Sequence, residues 1–348
     1  MIHVGIDHHK KFDHAVALDE AGEIVWDGRL RGDEASWREL KAALPAGEPV
    51  QSVLEAGWNW GILFDRLEAL EFNPKLANPL KTRWIAESFV KTDQIDATVH
   101  ARLLRAGLTP LVHVPCLSVR EQRNLLRRRF WLVKTKTSLK NRIHSLLARH
   151  HLDVPESTDL FGIQGRTWLK QLALPGSEGQ ILTGDLALMD ILQRHIRDTE
   201  RWIDDVLKDH PLVEILQSLP GIGKIFAAMI ALEIDTLDRF VSAGKFCSYS
   251  DLVNSTYSSG GKTFHGGLIP TCNRRMRYAF IEAAWTASRI SPYFRAFYTR
   301  LKVRKGSHAA IGATARKLCE IAYVCLSKKR PYEERIYQFR SRGALRIT

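Results

Sequence analysis

Short apolar runs separated by turns dominate the first third of the chain. Alternation over four to eight residues predicts strands, and apolar residues at three- and four-residue steps predict helices. In chain order the predicted elements are strands Ile2–Asp7, His14–Leu18 and Ile24–Trp26, a helix capped by Asp33 or Ser36 and ended by Pro45, strand Val50–Glu55, helix Trp60–Leu70, strand Pro74–Ala77, and a helical stretch to Ala106 broken near Lys91. Strands followed by alternating strands and helices predict a mixed α/β sheet domain, placed at residues 1–112.

The middle of the chain, residues 113–210, has the pattern of long amphipathic helices. Residues 118–151 carry apolar side chains on one helical face and cations elsewhere. Glycine and proline interrupt residues 155–184, which predicts a loop with a short helix near Arg166–Leu172, and a second long helix is predicted from Asp185 to about Lys208. Two long helices joined by a loop predict a helical hairpin or coiled coil that serves as a dimerisation element.

The last part, residues 211–348, is predicted to be mainly helical, with a helix-hairpin-helix-like motif. The tight turn Leu219–Gly223 opens it, and Ser255–Lys262 is predicted to be a loop of small residues. The helices are predicted at Lys224–Ile234, Ser242–Tyr249, Arg274–Ser288, Tyr293–Lys302 and His308–Leu326. The fold class expected for the whole chain is therefore α/β plus all-α.

Charge narrows the class of partner. The 348 residues contain 51 Lys and Arg against 38 Asp and Glu, a net charge of +13 that favours nucleic acid over a membrane surface. No apolar run is long enough to span a bilayer, and no secretory leader is seen. The five cysteines are odd in number and scattered, as expected for reduced thiols in a cytoplasmic protein.

Four carboxylates carry the sharpest chemical signal. Asp93 and Asp96 lie three residues apart, which places them on one face of a helix. Asp7 and Glu55 each end an apolar strand pattern, where an unpaired carboxylate is costly to bury. A D-x-x-D pair alone usually marks an ordinary surface, but two strand ends and one helix together predict a ribonuclease-H-like site for divalent metals bound to phosphodiester oxygens.

Other segments have both a functional and a structural interpretation. Backbone N–H groups at the helix start after Pro220–Gly223 suit a phosphate, although a plain helix–helix turn also needs glycine. The loop Ser258–Lys262 exposes hydroxyls for nucleophilic attack if a base, metal or cation activates one, although most such loops are only loops. The candidate nucleic-acid-binding residues are Arg123, Arg127, Arg128, Lys134, Lys140, Arg142, Gly221, Gly223, Lys224, Lys262, Arg274 and Arg277.

Aromatic and imidazole side chains give weaker signals. Trp58 and Trp60, beside Glu55, suit base stacking, but a packing role is the commoner one for tryptophan at such positions. The histidines at 8, 9, 144, 150 and 151 show no spacing that predicts a metal site.

Taken in order, these motifs resemble the DEDD transposases of the insertion-sequence 110/1111 family over nearly the whole chain. Gly5-Ile6-Asp7 resembles its first acidic strand, Leu54–Gly57 its Glu-Ala-x-Gly segment shortened by one residue, and Lys91–Ala97 its Lys-x-Asp-x-x-Asp-Ala segment. Leu219–Gly223 with Asp238-Arg239-Phe240 resembles the opening of its C-terminal transposase domain, and Tyr257–Lys262 resembles its serine loop. The resemblance stops at Pro270–Arg277, where the family has a Gly-Asn pair followed by Leu-Arg.

The resemblance implies a RuvC-like N-terminal domain that binds Mg²⁺ through Asp7, Glu55, Asp93 and Asp96. It also implies a nucleophilic serine in the C-terminal domain, matched best by Ser259 with Ser258 as the neighbour that competes for the role. In relatives an element-encoded RNA guides the choice of DNA, and the protein works as a dimer of dimers. The function expected is a transposase that cuts and rejoins DNA. A resolvase-type nuclease that uses water and a non-catalytic nucleic-acid-binding relative are the alternatives.

Overall fold

The computed structural model describes residues 1–86, 92–155, 159–268 and 273–334, except for the side chain of His265. Residues 1–115 and 116–348 form two compact units. The first unit is a sheet with helices, and the second is mostly helical, as the sequence predicts. No helix in the described ranges has the length and apolarity that a membrane span requires.

The first unit contains a five-stranded mixed sheet with the order β3-β2-β1-β4-β5. Strands β1, β2 and β3 are antiparallel neighbours, whereas β4 and β5 run parallel to β1. The bounds are β1 Ile2–His8, β2 Asp13–Leu18, β3 Ile24–Leu30, β4 Val50–Glu55 and β5 Pro74–Ala77, with helices α1 Glu34–Ala43, α2 Trp60–Ala69, α3 Pro79–Ile85 and α4 Asp93–Arg105. The predicted strands of this unit are confirmed, and so are its predicted helices within the described residues. The break predicted near Lys91 lies outside those residues.

Side-chain alternation decides how the sheet is covered. On one face a core that includes Ile2, Val4, Ile6, Trp37 and Leu67 packs beneath α1 and α2. Alternate residues of β1 point to the opposite face, where α4 contacts β1 and β2. The strands that carry Asp7 and Glu55 are neighbours with parallel direction, so both residues lie at the same edge of the sheet.

The second unit consists of long helices and one hairpin. Its helices are α5 Leu117–Arg149, α6 Ile163–Gln171, α7 Ser177–Val206, α8 Pro211–Gln217, α9 Lys224–Ile234, α10 Ala243–Tyr249, α11 Arg274–Ile290 and α12 Pro292–Ser327, which is broken at Gly306 (φ +77°). Strands β6 Asn254–Ser259 and β7 Lys262–Leu268 form the hairpin. Separate hydrophobic clusters join α5 to α7 and surround α9, α11 and α12. The division at residue 210 stays a prediction.

One predicted boundary and one predicted loop are wrong. Helix α7 begins at Ser177, within the predicted loop 155–184. Gly179 and Gly184 cost a helix about 1 kcal/mol each, but burial of Leu182 and Leu186 outweighs that cost. The predicted serine loop is a hairpin instead, because Gly260 (φ +55°) and Gly261 (φ +79°) form the two-residue turn that joins antiparallel strands. Helix α8 was not predicted either.

Candidate active site

Close packing of α4 on β1 brings three of the four predicted carboxylates together. A Cβ added to Gly5 would lie 2.0 Å from the carbonyl oxygen of Ala97 and 2.3 Å from the amide nitrogen of Ala101. Asp7 follows Gly5 by two residues and faces the same side of the sheet. Asp93 precedes Ala97 by about one helical turn, so the start of α4 lies over Asp7.

An imidazole bridges two of these carboxylates. The Nε2 atom of His9 lies 3.1 Å from Oδ2 of Asp7 and 3.4 Å from Oδ1 of Asp93. Ligand atoms of the three residues lie within 4.8 Å of one another. His9 was not among the predicted site residues, although the D-x-H spacing of Asp7 and His9 along an extended chain puts both side chains on one face.

The surroundings of Asp7 disfavour its ionised form. Partial burial raises the pKa of the Asp7 carboxyl, and the nearby charges of Asp93 and Asp96 raise it further. The imidazole of His9 acts in the opposite direction. A group of carboxylates that disfavour one another's ionisation is the environment that a bound cation relieves.

Glu55 meets the same helix through another histidine. The Nε2 atom of His100, on α4, lies 3.5 Å from Oε1 of Glu55. Burial lowers the pKa of His100 to about 4, and the charge of Asp96 opposes that shift only in part. His100 is therefore a neutral polar neighbour of Glu55 at physiological pH. Like His9, it was not predicted; its only sequence signal is its position one turn after Asp96.

Polar contacts hold the flanks of this site. The Thr92 side chain accepts a hydrogen bond from the backbone N–H of Ile95 at 3.2 Å and so caps α4. Gln94 donates to Asp27 of β3, which is itself 2.8 Å from His14. These bonds limit rotation of α4 over the sheet. Lys91, which was expected to flank the acidic pair, lies outside the described residues.

The hairpin presents Ser259 at its tip. Ser259 is exposed and is paired across the ribbon with Lys262, directly beside the Gly260–Gly261 turn. Ser258 points to the opposite face, where its hydroxyl lies 2.8 Å from the hydroxyl of Thr263. The two serines are thus in different chemical environments: the Ser258 hydroxyl is engaged across the strands, whereas Ser259 is exposed and pairs in register with Lys262.

Several predicted nucleic-acid-binding cations have partners within the second unit. Arg123 donates to the carbonyl oxygens of Leu232 and Glu233 at 2.9 and 3.3 Å, which satisfies the end of α9. Arg142 pairs with the buried Asp185 at 3.0 Å. These contacts give both arginines a packing role that the charge count alone does not reveal. Their predicted role toward nucleic acid stays a prediction.

Other cations of α5 are placed toward solvent or over a ring. Arg127, Arg128 and Lys134 are exposed, and the guanidinium of Arg127 lies 3.2 Å from the side chain of Asn124. The Lys140 ammonium lies 4.7 Å from the centroid of the Phe161 ring. The predicted contact of these cations with nucleic acid stays a prediction.

The glycine turn before α9 is explained by packing. Gly221 has φ +84°, and a Cβ there would lie 2.2 Å from the carbonyl oxygen of Ala283 on α11. Gly223 precedes the first residue of α9 and has open space around it. Lys224 pairs with Asp204 at 2.7 Å. The turn therefore has a structural reason, and its predicted phosphate contact stays a prediction.

The remaining predicted cations lie at the start of α11 and in the hairpin. Arg274 and Lys262 are exposed. Arg277 is half-buried, with Nη1 3.8 Å from the buried carboxylate of Asp251. Pro270 to Cys272, which precede α11, lie outside the described residues.

The two tryptophans next to Glu55 differ in their environments. Trp60 packs against the sheet core with its ring centroid 5.7 Å from that of Phe64. Trp58 is 82% exposed. Packing is thus the role of Trp60, as expected for a tryptophan at such a position, whereas Trp58 faces solvent.

Known proteins place these two units in one family. Residues 4–152 match a model of DEDD transposases of the IS110 type, and residues 213–299 match the Transposase IS116/IS110/IS902 family. The chain is 25% identical to the insertion element IS116 uncharacterized 44.8 kDa protein of Streptomyces clavuligerus, over 94% of this chain and 95% of that one.

Two further relatives cover most of the chain. It is 27% identical to the putative transposase y4qE of Sinorhizobium fredii, over 81% of this chain and 71% of the relative. It is 23% identical to the transposase for insertion sequence element IS1328 of Yersinia enterocolitica, over 92% of this chain and 95% of the relative. The matched segments include both the carboxylate-bearing sheet and the serine hairpin. The chain therefore belongs to the IS110 family of insertion-sequence DNA transposases.

Proposed function

We propose that this transposase cuts and rejoins DNA strands with a metal-binding carboxylate site in its first unit and Ser259 as the nucleophile. The observation that carries the proposal is the packing of α4 over Gly5, which sets Asp93 and Asp96 against Asp7. The proposed fold of this unit is RNase H- and RuvC-like. Three antiparallel strands followed by two parallel ones, with acidic residues on the central pair, support it.

The proposed metal ligands are Asp7, Glu55, Asp93 and Asp96. Carboxylate oxygens are the ligands that Mg²⁺ prefers. Burial is the main cause of the raised pKa of Asp7, and the charges of Asp93 and Asp96, which a cation would offset, raise it further. A bound ion would neutralise charge that develops on the phosphate. The residues present therefore fit a divalent metal, and His9 is placed to add a nitrogen ligand to the same group.

The proposed chemistry at Ser259 is transfer of a phosphoryl group. Its Oγ would attack phosphorus, forming an ester to one DNA end and leaving the other end as a free hydroxyl. A hydroxyl from a second strand would then attack the ester, forming the new phosphodiester and restoring the serine. Lys262, opposite Ser259 on the hairpin, would offset the negative charge of the phosphate.

A covalent protein–DNA adduct tests this assignment, and the hairpin offers a matched control. We expect Ser259→Ala to abolish the adduct and Ser258→Ala to retain it, because the Ser258 hydroxyl is engaged with Thr263 whereas Ser259 is exposed. Asp7→Asn should abolish cleavage while leaving the fold intact. Denaturing gels of reactions on DNA carrying the element's ends measure the adduct. An adduct that persists in Ser259→Ala would refute the nucleophile.

The same variants separate the alternative functions. A resolvase-type nuclease that uses water would lose cleavage in Asp7→Asn but keep it in Ser259→Ala. A non-catalytic relative would bind nucleic acid and leave every strand intact with Mg²⁺ or Mn²⁺ present.

We also propose that an element-encoded RNA guides the enzyme and that it assembles as a dimer or tetramer. This part rests on the family resemblance and on the exposed cations of α5, such as Arg128 and Lys134. Extraction and sequencing of nucleic acid from the purified protein tests the first point, and sedimentation tests the second. Recovery of only random cellular RNA would contradict a guide.

A further inference from the structure

The hairpin carries two exposed aromatic rings on the face that presents Ser259. Tyr257 and Phe264 are directly opposite each other across β6 and β7, and they are 71% and 66% exposed. Because side chains alternate along a strand, Tyr257 shares a face with Ser259, and Phe264 shares it with Lys262. The other face carries the bonded pair Ser258 and Thr263.

This arrangement is costly for a surface that contacts only water. An isolated two-stranded ribbon is marginally stable, and nearly every described side chain of this one is exposed. Two rings at its centre therefore leave a large apolar area unburied in a segment that gains little from its own fold. Such an area marks a contact with another molecule.

The composition of the hairpin favours nucleic acid as that molecule. Residues 254–268 contain no Asp or Glu, and Lys262 is their one Lys or Arg. Serine and threonine hydroxyls and the glycine backbone supply further donors to phosphate oxygens. Aromatic faces stack on bases without regard to sequence, and a neighbouring ammonium contacts the backbone.

We propose that Tyr257 and Phe264 stack on an unpaired DNA base that adjoins the phosphate attacked by Ser259. The inference rests on the proposed function in its use of Ser259. Residues two apart on a strand lie ~7 Å apart, so the ring pair and the Ser259–Lys262 pair are neighbours along one face. The rings would hold the base while Lys262 holds the phosphate, which positions the phosphorus for Ser259.

A paired valine substitution tests the rings without removing the hairpin. Valine favours strands as strongly as aromatics do but has no flat face for a base, so Tyr257→Val with Phe264→Val keeps the ribbon and removes stacking. The full chain is titrated in EDTA with a single-stranded 20-mer oligodeoxynucleotide of mixed sequence carrying 2-aminopurine. We expect about a tenfold loss of affinity and loss of the fluorescence change that reports stacking.

The salt dependence of binding separates stacking from charge. Because stacking releases no counterions, the valine pair should leave the slope of log K against log salt unchanged. Lys262→Ala should lower that slope by about one. Exchange of the rings, Tyr257→Phe with Phe264→Tyr, should bind within about twofold of the parent because both aromatic faces remain.

A matched control is an exposed aromatic in an acidic setting. Trp202 on α7 is exposed and has Glu200, Asp204 and Asp205 nearby in sequence. Trp202→Val should leave affinity for the oligonucleotide unchanged.

Equal affinity of the parent and the valine pair would overturn the proposal, as would failure of the parent to bind the oligonucleotide. A valine pair that changes only the sedimentation of the protein would assign the rings to a contact between chains.

The outcome is independent of the nucleophile. Ser259→Ala should bind the oligonucleotide as the parent does, since the hydroxyl adds no stacking. Loss of binding in the valine pair together with absence of any covalent adduct in the parent would keep this inference and refute the proposed role of Ser259. A normal covalent adduct together with normal oligonucleotide affinity in the valine pair would refute this inference and keep the proposed role of Ser259.

Discussion

Gly5→Ala is the substitution that best tests how the fold positions the carboxylates. The new methyl group would lie 2.0 Å from the carbonyl oxygen of Ala97 and 2.3 Å from the nitrogen of Ala101, whereas ordinary contact begins at 3.4 Å. Both obstacles are backbone atoms of α4, so the helix must move away by roughly 1 Å or more. Overpacking of this kind costs ~1–3 kcal/mol, and we expect the upper part of that range.

The displacement should affect chemistry more than stability. A misplacement of ~1 Å costs catalysis about 100-fold, because Asp93 would move with α4 while Asp7 stays on the sheet. Amide hydrogen exchange in the full chain measures the local free energy of opening of β1 and α4 without assuming two-state unfolding of both units. Calorimetric titration with Mn²⁺ measures the metal site, and strand cleavage measures the activity.

Gly57→Ala is the control for Gly5→Ala. A Cβ at Gly57 would meet only the Asn59 side chain, at 3.7 Å, so exchange of β1 and α4 should change by less than ~1 kcal/mol. If Gly5→Ala leaves exchange, Mn²⁺ affinity and cleavage at the level of the parent, the close approach of α4 to β1 is not what positions the acidic residues.

Four further predictions concern side chains that the fold gave unexpected neighbours. His9→Ala should weaken Mn²⁺ binding about tenfold in calorimetry, the loss expected for a group that binds or orients a metal, and unchanged affinity would exclude His9 from the site. The pKa of His100 is about 4 in the folded protein against 6.5 when exposed, so its contribution to the free energy of unfolding is full above pH 6.5 and falls as the pH drops toward 4. His100→Gln should remove ~3 kcal/mol of this pH dependence in denaturant titrations in EDTA. Parallel stability-against-pH curves for the parent and His100→Gln would refute this prediction. The raised pKa of Asp7 means that its charged form destabilises the folded state at pH 7, so Asp7→Asn should raise the melting temperature of the metal-free protein. A lowered melting temperature would contradict the burial argument. Arg123→Ala should destabilise the helical unit by ~1.5–3 kcal/mol in thermal unfolding, since two carbonyls of α9 lose a charged donor, and a purely salt-dependent loss of DNA affinity would show that binding is its main role.

Periodicity predicted most of the elements because it reports burial, which local spacing encodes directly. It was wrong about the start of α7, where two glycines resemble a loop and only packing of Leu182 and Leu186 against α5 reveals the helix. It also described the serine segment as a loop, because the two-residue glycine turn of a hairpin and a flexible linker have similar compositions.

The sequence by itself determined the strand-end positions of Asp7 and Glu55, the helical spacing of Asp93 and Asp96, and the surplus of positive charge. These properties depend on residues close together in the chain, where the periods of strand and helix are set by backbone geometry. The tertiary structure alone decided that His9 and His100 join those carboxylates, that Arg123 closes a helix end, and that Ser259 faces solvent while Ser258 bonds across the ribbon. Those pairings depend on which distant segments pack together, and close contacts such as that of Gly5 with α4 exist only once the whole sheet has formed.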